Sequence, residues 1–487
     1  VLLVQVNFIQ ILFSLLLIFG AMKKILQLSF IVCFVVLAIT SCKKDSFITS
    51  ADASLRLSED TLHFDTVFTV LGSTTQYLKI FNINDQKLKI SSLKLMGTNS
   101  FFKINVDGIP GIEFNNLELE ANDSMYLFAT VKIDPNAANL PFLIRDSIKI
   151  EFNGNTKWLQ LEAYGKNARF MNNIIITKDT TIKNDSPIVI LGGLTVNQNA
   201  TLTVEKGTQL FIHPSAAIKI NGTLNAIGDT NAKIVFQGIR IDDPYINYPG
   251  GWSSIYFSPT SKNNFLKYCV LKNAYQGVVL DAPATNSSPK LVMEACILDN
   301  IYDRAVLAVN SSCTATNCLI SNVGYGLYVV SGGNYNFNHC TFVSISNYYI
   351  SHKEALITLA NCDADKKNRS TLKTTITNSI IYGEGGFRDD EIEYLKADGT
   401  DFNVTMSHIL YKQKTALPTT LFGISSALPT NSNPLFDSID ISKRYYNFRL
   451  QSTSLCINAA ASSVTNDLDG KSRPLGGAAD LGCYEKQ

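Results

Sequence analysis

Cysteine recurs in register along the middle of the chain, and each copy opens a short apolar triplet. The triplets are Cys269-Val270-Leu271, Cys296-Ile297-Leu298, Cys318-Leu319-Ile320 and Cys340-Thr341-Phe342, at spacings of 27, 22 and 22 residues. Ser379-Ile380-Ile381 supplies a fifth copy after a longer gap, and Asn273, Asn300 and Asn322 each sit four residues after a cysteine. A repeat of this length marks a solenoid, whose units stack because none can bury its apolar face alone. Alternate residues of a strand share a face, so inward cysteines place Leu271, Leu298, Ile320 and Phe342 inward beside them. Like residues then lie about 4.8 Å apart on neighbouring coils, and the asparagines form a turn ladder whose amides bond one coil to the next. Sulfurs strung along an axis do not converge on a metal ion. The coil spacing permits a disulfide between neighbours, but small, buried, free thiols are the expected state.

The same phase assigns the second strand of each coil. Val278 and Leu280, Val306 and Ala308, and Leu327 and Val329 point inward, which leaves Val279, Leu307, Tyr328 and Ile350 pointing out. An outward apolar stripe commonly marks a contact surface. Asp299, Asp303 and Arg304 lie near the stacked turns and complete the candidate binding surface. Two irregular insertions, 351–371 and 384–403, offer the alternative of covering the stripe, and the acidic run Asp389-Asp390-Glu391 in the second reads as a solvated loop.

Lys and Arg number 42 against 41 Asp and Glu, with no basic tract beyond the first segment, which argues against a nucleic-acid partner. Twenty Tyr, 27 Phe and recurrent Val/Ile/Thr runs favour strands. Met22-Lys23-Lys24, the apolar run 25–39 and Thr40-Ser41-Cys42 have the parts of a secretory signal. Leu37-Ala38-Ile39-Thr40-Ser41-Cys42 resembles a bacterial lipobox. The resemblance implies lipidation of Cys42, a membrane partner through that anchor, and an outer-membrane lipoprotein facing the periplasm or the cell surface. Residues 1–21 are expected to be translated upstream sequence, 22–41 the signal peptide and 42–53 a tether.

Residues 54–165 alternate as short strands and polar turns. Leu62-His63-Phe64-Asp65-Thr66-Val67, Leu78-Lys79-Ile80-Phe81-Asn82, Phe101-Phe102-Lys103-Ile104 and 159–165 resemble the immunoglobulin-like modules of the ASPM/SPD-2/Hydin family. The resemblance implies a β-sandwich acting as a spacer or adhesion module. From about 174 the phrases Ala200-Thr201-Leu202-Thr203-Val204-Glu205-Lys206-Gly207-Thr208, 217–226 and Gly251-Trp252-Ser253-Ser254-Ile255 resemble the pectin lyase-like superfamily of right-handed parallel β-helices. That domain is expected over 174–415, with C-terminal coils and a cap over 416–487. The fold class is therefore all-β, a sandwich followed by a right-handed parallel β-helix. Ser454-Leu455-Cys456-Ile457-Asn458-Ala459, 467–474 and Asp480-Leu481-Gly482-Cys483-Tyr484-Glu485 resemble the close of extracellular β-helix proteins of the choice-of-anchor type. Cys456 and Cys483 depart from that pattern, either as a disulfide made in an oxidising compartment or as two buried thiols.

The β-helix resemblance implies a polysaccharide lyase or glycoside hydrolase acting on acidic polysaccharide, with Ca²⁺ as a cofactor only under the lyase alternative. The family's catalytic phrases are absent, and none of the five histidines lies in one. Fold alone does not carry activity. The reading favoured by the sequence is a non-catalytic, envelope-anchored protein that needs no cofactor and presents a surface to polysaccharide or protein partners.

Overall fold

The computed structural model describes residues 46–69, 71–134 and 142–486. Cys42 and the signal lie outside the described residues. The chain divides into two compact units, one built mainly from Ser73–Val131 and Arg145–Glu162, the other from Ala163 onward.

The first unit is an immunoglobulin-like sandwich of two five-stranded antiparallel sheets. Period-two alternation selects its core: Leu78 and Ile80 on Gln76–Asn82, and Leu127 and Ala129 on Ser124–Val131, are at most 1% exposed. One sheet orders Leu55–Leu57, Gln76–Asn82, Ser124–Val131, Phe102–Val106 and Ile109–Gly111. The other orders Thr61–Phe68, Asn155–Lys166, Phe142–Phe152, Leu88–Leu95 and Glu113–Leu119.

The second unit is a right-handed parallel β-helix. Its sheet begins at Arg169–Met171 and ends at Phe422–Ala427, and its strands up to Cys269–Lys272 pair three apart, so each coil there has three faces. The first face carries the cysteine repeat. Val270 pairs with Ile297, Ile297 with Leu319, and Leu319 with Thr341, which puts Cys269, Cys296, Cys318 and Cys340 in one inward stack. All four are buried, free thiols. Cys269 and Cys296 donate to the carbonyls of Ala226 and Leu266, each at 3.3 Å, and burial pushes the Cys296, Cys318 and Cys340 thiols well above their ordinary pKa. Leu271, Leu298, Ile320 and Phe342 fill the interior beside them without exposure.

Asn273, Asn300 and Asn322 turn the chain with φ of 61°, 55° and 51°. Asparagine tolerates this left-handed region better than other residues with a Cβ, which accounts for the recurrence. Only one of the expected coil-to-coil amide bonds forms. Asn300 Nδ2 donates to Asn273 Oδ1 at 2.9 Å, whereas Asn322 Nδ2 donates to Asp299 at 3.0 Å.

The second face corrects the reading of Ile350. Val279 pairs with Leu307 and Leu307 with Tyr328, as the repeat predicts, but Tyr328 then pairs with Thr358. Ile350 is buried in a turn, where its N–H meets Asn347 Oδ1 at 3.0 Å. The longer segment before Ile357–Ala360 breaks the 22-residue count. The two stretches read as irregular insertions each hold a regular strand of this face, Ile357–Ala360 and Ile392–Leu395.

The C-terminal segment packs along the outside of the first face. Leu319, Val343, Ile380 and Leu410 point outward and form a second apolar cluster with Phe436, Phe448, Leu468, Leu481 and Tyr484. Buried Arg473 pins this strap, donating to Glu485 at 3.1 Å, to Asn317 Oδ1 at 3.0 Å and to the Gly482 carbonyl at 3.1 Å. Cys456 and Cys483 lie within the cluster as free thiols, so the suggested disulfide is not formed. Each sulfur is buried among apolar side chains, and burial raises both pKa values to about 12.

Candidate functional site

The seven residues singled out from the sequence do not form one surface. Val279, Leu307 and Tyr328 are half-buried on the second face. Arg304 lies over the Tyr328 ring at 4.3 Å and pairs with Asp303, which also accepts from Gln276 Nε2 at 2.8 Å. The stripe is therefore short, crossed by a cation and closed by Thr358. Asp299 lies on the other side of the asparagine turns, in a recess of about 220 Å³.

The floor of that recess is the asparagine ladder. Asn273 Nδ2 donates to the Ile246 carbonyl at 2.6 Å, and Asn300 Nδ2 to that of Asn247 at 2.9 Å. These bonds tie the loop before Gly250 to the turns. Asn322 is 3% exposed, and its Oδ1 is buried without a hydrogen-bond partner. An unsatisfied buried acceptor costs about 1–3 kcal/mol.

One wall carries a charge pair set by strand register. Lys272 and Asp299 are paired positions on adjacent strands. Burial holds the Lys272 ammonium below its ordinary pKa, against the pull of Asp299. Burial likewise raises the Asp299 carboxyl, although Ser321 Oγ at 2.7 Å and Asn322 Nδ2 at 3.0 Å both donate to it.

The rim is aromatic. Tyr348 is 92% exposed, Tyr349 packs edge-on against it at 5.2 Å, and Tyr248 lies 4.8 Å from Tyr349. Tyr245 extends the row, 5.1 Å from Tyr248. From the C-terminal strap come Tyr446 and Arg444, the latter lying over the Tyr349 ring at 4.6 Å and donating to its hydroxyl. Sequence reasoning passed over this rim. Its available signal was the pair of dipeptides Tyr348-Tyr349 and Tyr445-Tyr446, each next to a polar turn.

Among the described residues, Asp299 is the only carboxylate lining the recess. Glycoside hydrolysis by the common route needs two, roughly 5–9.5 Å apart. No cluster of three or more His, Cys, Asp or Glu among the described residues is arranged to hold a metal ion.

A protein-family model described as a right handed beta helix region matches residues 192–342. The middle of the chain is such a helix. No curated protein matches. Among solved structures, a family 123 glycoside hydrolase from Clostridium perfringens is similar at 12% identity over 23% of this chain and 25% of that one, with a TM-score of 0.17. This chain thus spans a quarter of that hydrolase. PapD-like domain 7 of human CEP192 is similar at 11% identity over 26% of this chain and 94% of that one, TM-score 0.19. The catalytic unit of a GH87 alpha-1,3-glucanase from Streptomyces thermodiastaticus strain HF3-3 is similar at 8% identity over 73% of this chain and 89% of that one, TM-score 0.21. Scores this low carry no functional argument.

Proposed function

We propose that this protein is an exported lipoprotein, anchored in the envelope through Cys42, that binds glycan in the recess over the asparagine ladder without transforming it. One observation carries the reading: a polar floor of asparagine amides lies beneath a rim of Tyr348, Tyr349 and Tyr446, with Tyr248 packed on Tyr349. Amide groups and Arg444 suit a hydroxyl-rich ligand, and tyrosine rings pack against apolar sugar faces while their hydroxyls stay wet. Binding of oligogalacturonate and of neutral gluco-oligosaccharides should be measured by calorimetry on the full chain in detergent. The Tyr349→Ala/Arg444→Ala double variant is expected to lose affinity by about tenfold or more, tenfold being 1.4 kcal/mol. Unchanged affinity would remove the recess from the reading. The anchor has its own test, since metabolic labelling with a fatty acid should mark the wild type and not Cys42→Ala.

A second reading rests on Lys272, a lysine whose ammonium is destabilised by burial beside the recess. Such a group can take a proton, as a lyase acting on uronate would require. Absorbance from unsaturated products that grows with wild type and vanishes with Lys272→Ala would replace the binding reading by catalysis.

A further inference from the structure

The sandwich has one face unlike the rest of its surface. Tyr77 pairs with Phe128 and Lys79 with Tyr126 across adjacent strands, and Asn105 pairs with Phe128 from the other side. Directly opposed residues of antiparallel strands share a face, and the alternating partners Leu78, Ile80 and Leu127 are buried. The aromatic side chains therefore stand on the outer face. Tyr126 and Phe128 are stacked, 5.6 Å apart and inclined by 13°, and Tyr77 lies 5.6 Å from Tyr126 and 6.2 Å from Phe128. Tyr77 is 59% exposed and Tyr126 38%. Beside them a recess of about 400 Å³ is lined by Lys103, Asn105, Phe128 and Thr130.

Strand carboxylates are confined to one of the two sheets, while cations stand on both. The five strands of this sheet contain no Asp or Glu and present Arg56, Lys79 and Lys103. The opposite sheet holds every strand carboxylate of the sandwich, including Glu113, Asp146, Glu151 and Glu162. On the aromatic sheet, Lys79 lies over the Tyr126 ring at 4.8 Å and Arg56 over Phe81 at 4.2 Å. An exposed aromatic cluster of this kind marks a contact surface, and the surrounding cations select an anionic occupant.

We propose that this face is a binding site for an anionic polysaccharide, separate from the recess in the β-helix. Pyranose rings pack their C–H faces on Tyr77, Tyr126 and Phe128, and the acid groups along the chain meet Lys79 and Lys103. The sandwich is thus a recognition module as well as a spacer.

The test is affinity electrophoresis of the full chain in native gels containing polygalacturonate or neutral dextran. The wild type is retarded by polygalacturonate and not by dextran. Tyr77→Ala/Tyr126→Ala weakens the retardation at least tenfold, with its melting temperature unchanged. Lys79→Gln/Lys103→Gln, which leaves the rings in place, weakens it too and reduces its salt dependence. Equal retardation by dextran that the sandwich variants lose and Tyr349→Ala/Arg444→Ala keeps overturns the anionic class. Full retardation of both sandwich variants, with loss in Tyr349→Ala/Arg444→Ala, overturns this site while leaving the β-helix recess standing. No retardation of the wild type overturns the inference.

Discussion

The first and second faces of the β-helix carry outward apolar ladders that look alike in sequence and meet different fates. On the first, Leu319, Val343, Ile380 and Leu410 are sealed under the C-terminal strap. On the second, Val279, Leu307 and Tyr328 are only half-buried, with Arg304 laid over the tyrosine ring. A solenoid wall is chemically two-sided, and alternation within a strand reports only which residues point away from the core. Whether those residues meet water or more protein is decided by chain that arrives later in the sequence.

The largest expected effect comes from removing the strap. A chain ending at residue 430 uncovers the first ladder, and full burial of each such side chain contributes roughly 1.5–3 kcal/mol. That loss is expected to leave an aggregating product, read as lost soluble yield and binding of a hydrophobic dye. A soluble, cooperatively melting fragment would show that the first face tolerates water as the second does.

Next comes the pin of the strap. Arg473→Met leaves Glu485 buried without its cation, and breaking a buried pair from one side costs about 3–5 kcal/mol. Denaturant unfolding reads this directly. Arg473→Met/Glu485→Met should recover part of the loss, because the stranded charge is gone.

The comparison also locates what the sequence made legible. The cysteine interval was sufficient for the inward stack, since Cys269, Leu271 and their copies lie within a few residues of one another and follow strand period alone. The asparagine turns were legible for the same reason. Ile350 was misplaced because a counting rule fails where a coil lengthens, and the ladder passes instead to Thr358. The sandwich core followed from alternation. The groups around the recess did not, since Arg444 and Tyr446 reach it from a segment without repeat, and the absence of carboxylates from one sheet of the sandwich emerges only once strand order is known. Cys456 and Cys483 left two alternatives open for a chemical reason: cysteine serves as well for a small buried apolar group as for a crosslink.

That reading of the cysteines gives the third prediction. All eight cysteines among the described residues are free, so a thiol reductant should leave the melting temperature of the folded protein unchanged. Alkylation in the native state should spare them and become complete on unfolding. A drop in melting temperature on reduction would restore the disulfide in the strap.

The two faces can then be set against each other by one substitution. Leu319→Asp places a carboxylate in the sealed cluster, where an unpaired charge is strongly disfavoured, and should prevent folding or nearly so. Leu307→Asp on the half-buried stripe keeps access to water and lies near Arg304, so about 1 kcal/mol is expected, in line with ordinary surface-proximal changes. Thermal unfolding of the pair measures the difference, and equal losses would mean that the second face is as closed as the first.

A small effect is expected at Asp299, where its sign is the informative part. Burial raises its carboxyl pKa above the ordinary value of 3.8, outweighing the help of Ser321, Asn322 and Lys272. The folded protein therefore holds this proton more tightly than the unfolded chain does. Stability from the group is present below pH 3.8 and is lost as pH rises through the raised folded value, so the ionised carboxylate weakens folding at neutral pH. Asp299→Asn keeps an oxygen that accepts from Ser321 and Asn322 and removes the charge. It should raise the urea midpoint at pH 7, with the gain shrinking as the pH falls toward 3.8. A lower midpoint at pH 7 would show that attraction to Lys272 outweighs burial, making the wall of the recess a true ion pair.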